Sequence, residues 1–132
     1  MTFTQAELDY LSGQLLGRLA TVGSDGIPQN SPTSFSVDPE TGTIDIRGLA
    51  MGTTRKFRNV RENGRVAFVV DDIASHKPWK VRGVEIRGVA EALEDVDPPA
   101  PYLSREVIRI HPRRIISWGL DPGQEGMRGR DV

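Results

Sequence analysis

Behind Thr4-Gln-Ala-Glu7, apolar residues recur at Leu8, Leu11, Leu15 and Leu16. This is the interval of an amphipathic helix, and Thr followed three positions later by Glu has the spacing of a capping box. A helix is therefore predicted over residues 4 to 16, ending near Gly17. Beyond it the pattern becomes extended. Arg18 to Val22, Ile27 to Val37 and Thr43 to Arg47 read as strands separated by the turns Ser24-Asp-Gly26 and Asp38-Pro-Glu-Thr-Gly42, which predicts a three-stranded meander. Pro28 and Pro32 mark the second segment as an edge, an irregular strand or a strand whose amides face a ligand. A short helix is expected from Thr54 to Glu62, closed by Asn63-Gly64 as a left-handed cap. Arg65 to Asp72 follows as a strand, apolar on both faces between Val66 and Val70. One face can pack inside the domain, and the other needs cover that a partner subunit would supply.

A polar loop is expected from Ile73 to Pro78, then a long strand from Trp79 to Leu93. The prolines and acids of Asp95 to Pro101 make a linker, because they cannot join the interior of a sheet or helix. A last strand or pair runs from Arg105 to Trp118, bent at Pro112, before a polar, glycine-rich tail from Asp121 to Val132 that is expected to be mobile. About six strands with one terminal and one inserted helix, joined by short turns, predict a mainly β fold, a closed antiparallel barrel rather than a parallel α/β sheet. No strand, glycine-rich turn and helix unit occurs, which excludes a dinucleotide-binding Rossmann reading.

Composition narrows the function. At 132 residues the size prior gives one domain, residues 1–132. The absence of cysteine excludes disulfide and thiolate chemistry. The start lacks the regions of a signal peptide, and no apolar run can span a bilayer, so a cytoplasmic protein without membrane contact is expected. With 17 basic and 18 acidic side chains there is no bulk attraction to nucleic acid. Few aromatics and no strand interleaving basic with stacking residues argue against a nucleic-acid-binding barrel. His76 and His111 lack the spacing of a metal site, and no serine sits in an evident nucleophile setting. No catalytic side chain is assigned, so a cofactor is expected to carry the chemistry of any enzyme here.

The candidate for holding it is Met51-Gly-Thr-Thr-Arg-Lys-Phe-Arg-Asn-Val60. On a helical wheel Phe57 and Val60 point one way, while Arg55, Arg58 and Asn59 point the other. Arg55 and Lys56 would lie at the positive pole of the helix, where cations are disfavoured by roughly 0.3–1 kcal/mol. A bound phosphate reverses that sign, with free amides, both cations and the Thr53 and Thr54 hydroxyls as donors. The alternative is a solvated face with Arg58 paired to Glu62. In the long strand, Arg82, Glu85 and Arg87 admit either a charge ladder or a ligand contact. The adjacent Asp71 and Asp72 point oppositely on a strand and read as strand termination, not as an acid–base pair.

These motifs together resemble the FMN-binding split barrels, the pyridoxamine 5′-phosphate oxidase-like superfamily. Leu19-Ala-Thr-Val and Asp25-Gly-Ile-Pro28 resemble its opening hairpin, and Thr54-Arg55-Lys56 matches its phosphate-holding triplet. "NVRENGRVAFVVDD", Arg82 to Gly88 and Trp118-Gly119 resemble later segments. The resemblance covers about residues 15 to 120, implying a six-stranded antiparallel split β-barrel. The compact length and the endings "HPRRIISWGLDPG" and "VVDDIASHKPWKVRGVEIRGVAE" look most like the actinobacterial branch using the deazaflavin coenzyme F420, with FMN as the alternative cofactor.

That branch implies a homodimer with the cofactor at the subunit interface and hydride transfer to a small conjugated organic substrate. A carrier that binds without turnover is the non-catalytic alternative. The resemblance further implies phosphate contacts from Thr53, Thr54, Arg55 and Lys56. Asn30, Ser31, Thr33 and Ser34 would line the ring through the strand backbone, with Arg47, Trp79, Arg82 and Trp118 completing the site. Arg109-Ile-His111 precedes Trp118, whereas the substrate-gripping Arg-x-His of true pyridoxamine phosphate oxidases follows that tryptophan, so oxidation of vitamin B6 is disfavoured.

Overall fold

A computed structural model describes residues 2–123 and 125–132. Its elements are α1 (Gln5–Ser12), β1 (Gly17–Val22), β2 (Pro28–Thr33), β3 (Ser36–Asp38), β4 (Thr43–Ile46), a 3-10 turn (Met51–Thr53), α2 (Arg55–Glu62), β5 (Arg65–His76), β6 (Trp79–Leu93), β7 (Val107–Trp118) and β8 (Met127–Asp131). The fold is mainly β and antiparallel as expected, with eight strands among the described residues rather than six.

The spatial order is β2-β1-β5-β6-β7-β4-β3, with β8 added to β7. This replaces the predicted meander, because the segment from Ile27 to Val37 is two strands that lie at opposite ends of the sheet. Thr33 ends one and Ser36 begins the other. Three residue steps reach about 11 Å at most. The two ends of the sheet must therefore meet, and the sheet curls into a split barrel. Its interior is filled by alternate residues of neighbouring strands, among them Leu19, Ile44, Phe68, Val84, Ile86 and Ile110, none more than 1% exposed. On β5, Val66, Phe68 and Val70 face this core, while Ala67 and Val69 lie half-buried on the outer face beside Arg18, Asn30 and Glu85.

α1 has its predicted capping box, with Thr4 Oγ1 accepting from Glu7 N–H and Glu7 Oε1 accepting from Thr4 N–H. It stops at Ser12, however, so Leu15 and Leu16 are not helical and are 85% and 52% exposed. α2 does not end in a left-handed cap either: Asn63 is extended, at φ −145°. The expected polar loop after Asp72 is strand instead, since β5 continues to His76 and pairs with β6 up to Trp79. Beyond the core a hairpin needs only backbone pairing, so its side chains lose the apolar alternation that signals a strand.

The tail is also ordered where it pairs with β7, as Met127–Asp131. Arg130 anchors it, donating from Nη1 and Nη2 to the buried carboxylate of Glu7 at 2.8 and 2.7 Å. Gln124 of that tail lies outside the described residues. Pro112 is tolerated within β7 because a bulge at Arg113 interrupts the ladder with β6. No helix among the described residues is long and apolar enough to cross a membrane.

Candidate functional site

α2 is seated by its apolar side and held by polar contacts on both flanks. Phe57 and Val60 are 0% and 4% exposed. Thr54 is the N-cap, its Oγ1 accepting from Phe57 N–H at 3.3 Å. The preceding 3-10 turn is fastened to the segment before β7, where Met51 N–H donates to Ser104 Oγ at 3.0 Å and Gly52 N–H to Glu106 Oε1 at 3.2 Å. Asn59 departs from the wheel expectation. It is buried, donating from Nδ2 to Thr21 Oγ1 at 3.0 Å and Gln29 Oε1 at 3.4 Å. The β1–β2 hairpin folds over α2 and covers a face that a solitary helix would leave wet. Gly23 permits that approach, since a Cβ there would lie 2.5 Å from Asn59 Oδ1. Glu62 accepts Ser24 N–H at 2.9 Å, where the alternative reading had it paired with Arg58, and this bond holds its carboxyl below the usual range.

Of the first four amides of α2, Phe57 N–H is bound by the cap side chain and Arg58 N–H by Thr54 O. The Arg55 and Lys56 amides remain free among the described residues. Lys56 has no ion pair there, and Arg55 reaches Asp25 only at 3.7 Å, with both side chains about half exposed. A pair of that kind is worth little. The threonine hydroxyls are committed. Thr53 Oγ1 donates to Ala50 O at 2.9 Å and Thr54 Oγ1 to Met51 O at 2.7 Å, and each hydroxyl has one proton. The donors left uncommitted at this helix start are therefore the two amides, Lys56 and, but for its long contact with Asp25, Arg55.

Ser31 Oγ, Thr33 Oγ1 and Arg47 Nη1 are buried without a hydrogen-bond partner. Such atoms cost about 1–3 kcal/mol each when left unsatisfied, so these three fit residues that meet a polar ligand. The other guanidinium nitrogen of Arg47 donates to Asp97 O at 3.2 Å. Ser31 and Thr33 share the inward face of β2 with Gln29, whereas Asn30 turns to the outer face against Ala67 and Val69. The side chains of Asn30 and Ser31 therefore lie on opposite faces of β2, and what the two residues share is the strand backbone. Ser34 is exposed between β2 and β3.

The remaining predicted residues lie elsewhere. Thr21, which holds Asn59, is registered through Val66 with Gly88, nine residues from Trp79 on β6. That is about 30 Å along the strand. Near this far end Arg82 is bound by Asp72 through Nε at 2.7 Å and Nη2 at 2.9 Å. Tyr10 O–H donates to Asp72 Oδ1 at 3.0 Å, and the guanidinium carbon lies 5.1 Å from the Tyr10 ring centre. Arg82 holds the Asp72 carboxyl below its ordinary range, while burial and then the hydrogen bond to Asp72 push the Tyr10 phenol upward.

Arg82 thus ties α1 to β5 and β6 and is no free ligand contact. The sequence reading missed Tyr10 and Asp72 as its partners; no local spacing connects residues 62 and 10 positions apart. Asp71, on the opposite face as expected, pairs with Arg18 at 2.9 Å, and Glu85 pairs with Arg87 at 2.8 Å. Trp79 is 63% exposed and Trp118 lies across Gly83, where a Cβ would come within 2.5 Å of the indole. Both line a cavity of about 730 Å³ between the β5–β6 hairpin and the tail.

A split antiparallel barrel with free amides and cations at an inserted helix belongs to the class of flavin-type cofactor-binding oxidoreductases. The chain belongs to the pyridoxamine 5′-phosphate oxidase family, whose profile matches residues 3–125. It is 52% identical over 134 residues to the 5a,11a-dehydrotetracycline/5a,11a-dehydrooxytetracycline reductase of Streptomyces rimosus subsp. rimosus, across 100% of this chain and 94% of that protein. Among solved structures, a conserved hypothetical protein from Mycobacterium tuberculosis superposes with a TM-score of 0.70 at 26% identity, over 94% of this chain and 92% of that one. An F420 reductase superposes with a TM-score of 0.65 at 26% identity, over 86% of this chain and 98% of that one.

Proposed function

We propose that this protein is a cytoplasmic homodimeric reductase dependent on coenzyme F420, acting on a small conjugated organic acceptor. The observation that carries the reading is the 52% identity, over the whole chain, to a reductase whose substrate names denote unsaturated compounds. The solved F420 reductase at 26% identity favours the deazaflavin over FMN. When bound, the reduced coenzyme supplies the hydride. The chain supplies position. The Arg55 and Lys56 amides, with both cations, hold the phosphate. Ser31, Thr33 and Arg47 offer hydrogen bonds to the polar parts of the coenzyme.

A second copy has two roles in this reading. It covers the outer face of β5 at Ala67 and Val69. Hydride transfer requires reacting atoms about 3–3.5 Å apart, and one chain separates Trp79 from α2 along most of β6, so only the Trp79 and Trp118 of a second copy would complete the site at α2.

Titration of the purified chain with F420 and with FMN tests the cofactor. Protein from a host lacking the deazaflavin is expected to be colourless and to bind F420 in preference; yellow protein carrying FMN would overturn the assignment. Turnover of reduced F420 against enones, quinones and nitro compounds tests catalysis, and no oxidation by any of them would favour a carrier. Sedimentation measures the dimer, and a monomer at working concentration would reject the shared site.

A further inference from the structure

We infer that the cavity containing Trp79 and Trp118 receives the acceptor, and that it selects a flat, fused polycyclic ring system bearing an acidic enol or phenol. Its role as an acceptor site rests on the reductase reading above, whereas its selectivity for the ring system stands on the cavity itself.

The chain has 2 tryptophans, and both line this one cavity of about 730 Å³. Pockets for ligands of drug size span roughly 300–1,000 Å³. Trp79, Val81 and Met127 stand 63%, 42% and 72% exposed although they line it, so large apolar faces meet solvent where the barrel core makes no demand on them. Indole faces favour aromatic rings, and a flexible, polarisable methionine adapts to ring edges. The missing side chain of Gly83 leaves room for the Trp118 indole against the β6 backbone, where a Cβ would come within 2.5 Å of it. Lys80 and Asp121 are also lining residues, one cation and one carboxylate. They complement an enolate oxygen and the hydroxyl groups of a polyoxygenated ring system.

The cavity is poorly suited to the phosphate end of a cofactor. No helix starts there among the described residues, and Lys80 is the one cation among the described lining residues, against Arg55 and Lys56 together at α2. It also lies at the opposite end of β6 from the contacts of α2. The name of the 52% identical relative denotes a fused polycycle, the same ring class.

Because both tryptophans line the cavity, intrinsic fluorescence reports its occupancy without any cofactor. The full chain, free of coenzyme and in EDTA to suppress metal chelation, would be titrated with tetracycline, with free N-acetyltryptophanamide correcting for absorbance. Saturable quenching is expected, with affinity weakened about tenfold by Trp79→Leu. Met127→Glu is expected to act similarly; both positions are exposed, so neither change endangers folding. Lys56→Ala should leave tetracycline binding intact while weakening binding of F420.

Quenching no different from that of the free indole, or unaffected by Trp79→Leu and Met127→Glu, overturns the proposal. So does competition in which F420 displaces tetracycline and loses its own affinity in Trp79→Leu, because the cavity would then belong to the coenzyme. Failure of the cofactor reading is separately visible: tetracycline would bind as described while F420 bound neither the parent chain nor its variants.

Discussion

Arg82 and Lys56 are both cations that the sequence offers as ligand contacts, and the fold treats them in opposite ways. Arg82 is held by both oxygens of Asp72, with the Tyr10 ring beneath it and Gln14 completing the carboxylate's shell. Lys56 stands among free amides with no acid in reach among the described residues. The difference is one of partners rather than of residue type. A cation with a bidentate carboxylate is structural, because a ligand would first have to break that pair. A cation beside unsatisfied donors is available, because an anion there relieves repulsion with the helix pole.

The most damaging change to this contrast is Phe57→Ala. Its side chain is fully buried beneath α2, so its removal should lower stability by about 3–5 kcal/mol, read as the denaturant midpoint multiplied by an unchanged m-value. If the loss were under about 1 kcal/mol, α2 would not be seated as described. The direct comparison comes next. Lys56→Ala should weaken F420 binding by about 10–100-fold, the scale of a charge-assisted hydrogen bond of roughly 1.5–3 kcal/mol. Arg82→Ala should change that affinity by less than about twofold, while lowering stability by about 1 kcal/mol because the pair is partly exposed. Equal effects of the two substitutions on affinity would erase the distinction.

The smallest effect expected is on pH dependence. Arg82 lowers the Asp72 carboxyl from its ordinary value. Its stabilisation is therefore fully present above the unfolded value of about 3.9 and is lost as pH falls through the lower folded value. Asp72→Asn should flatten part of the decline in stability measured below about pH 4. An unchanged acid limb would mean that other lowered carboxyls, such as Glu62, carry it.

Much of this molecule was readable from local pattern. Thr4 and Glu7 announce α1, and Trp79 to Leu93 is a strand with the predicted bounds. Thr54 marks the start of α2 as its cap. Errors gathered where the cause is remote. Ile73 to His76 is strand because β6 returns alongside it, and the tail is strand because β7 has an open edge beyond β4. Asn59 is buried because a hairpin 30 to 38 positions away closes over it.

The sequence by itself determined the antiparallel β class, the inserted helix and the cations at its first turn, since each depends on periodicity, capping or turn chemistry within a few residues. Tertiary structure alone decided the order of the strands, which puts β2 and β3 at opposite ends of the sheet. It also decided which cations are already paired and that Trp79 and Trp118 face one cavity. These depend on distances between residues far apart in the chain, and such distances exist only once the sheet has curled.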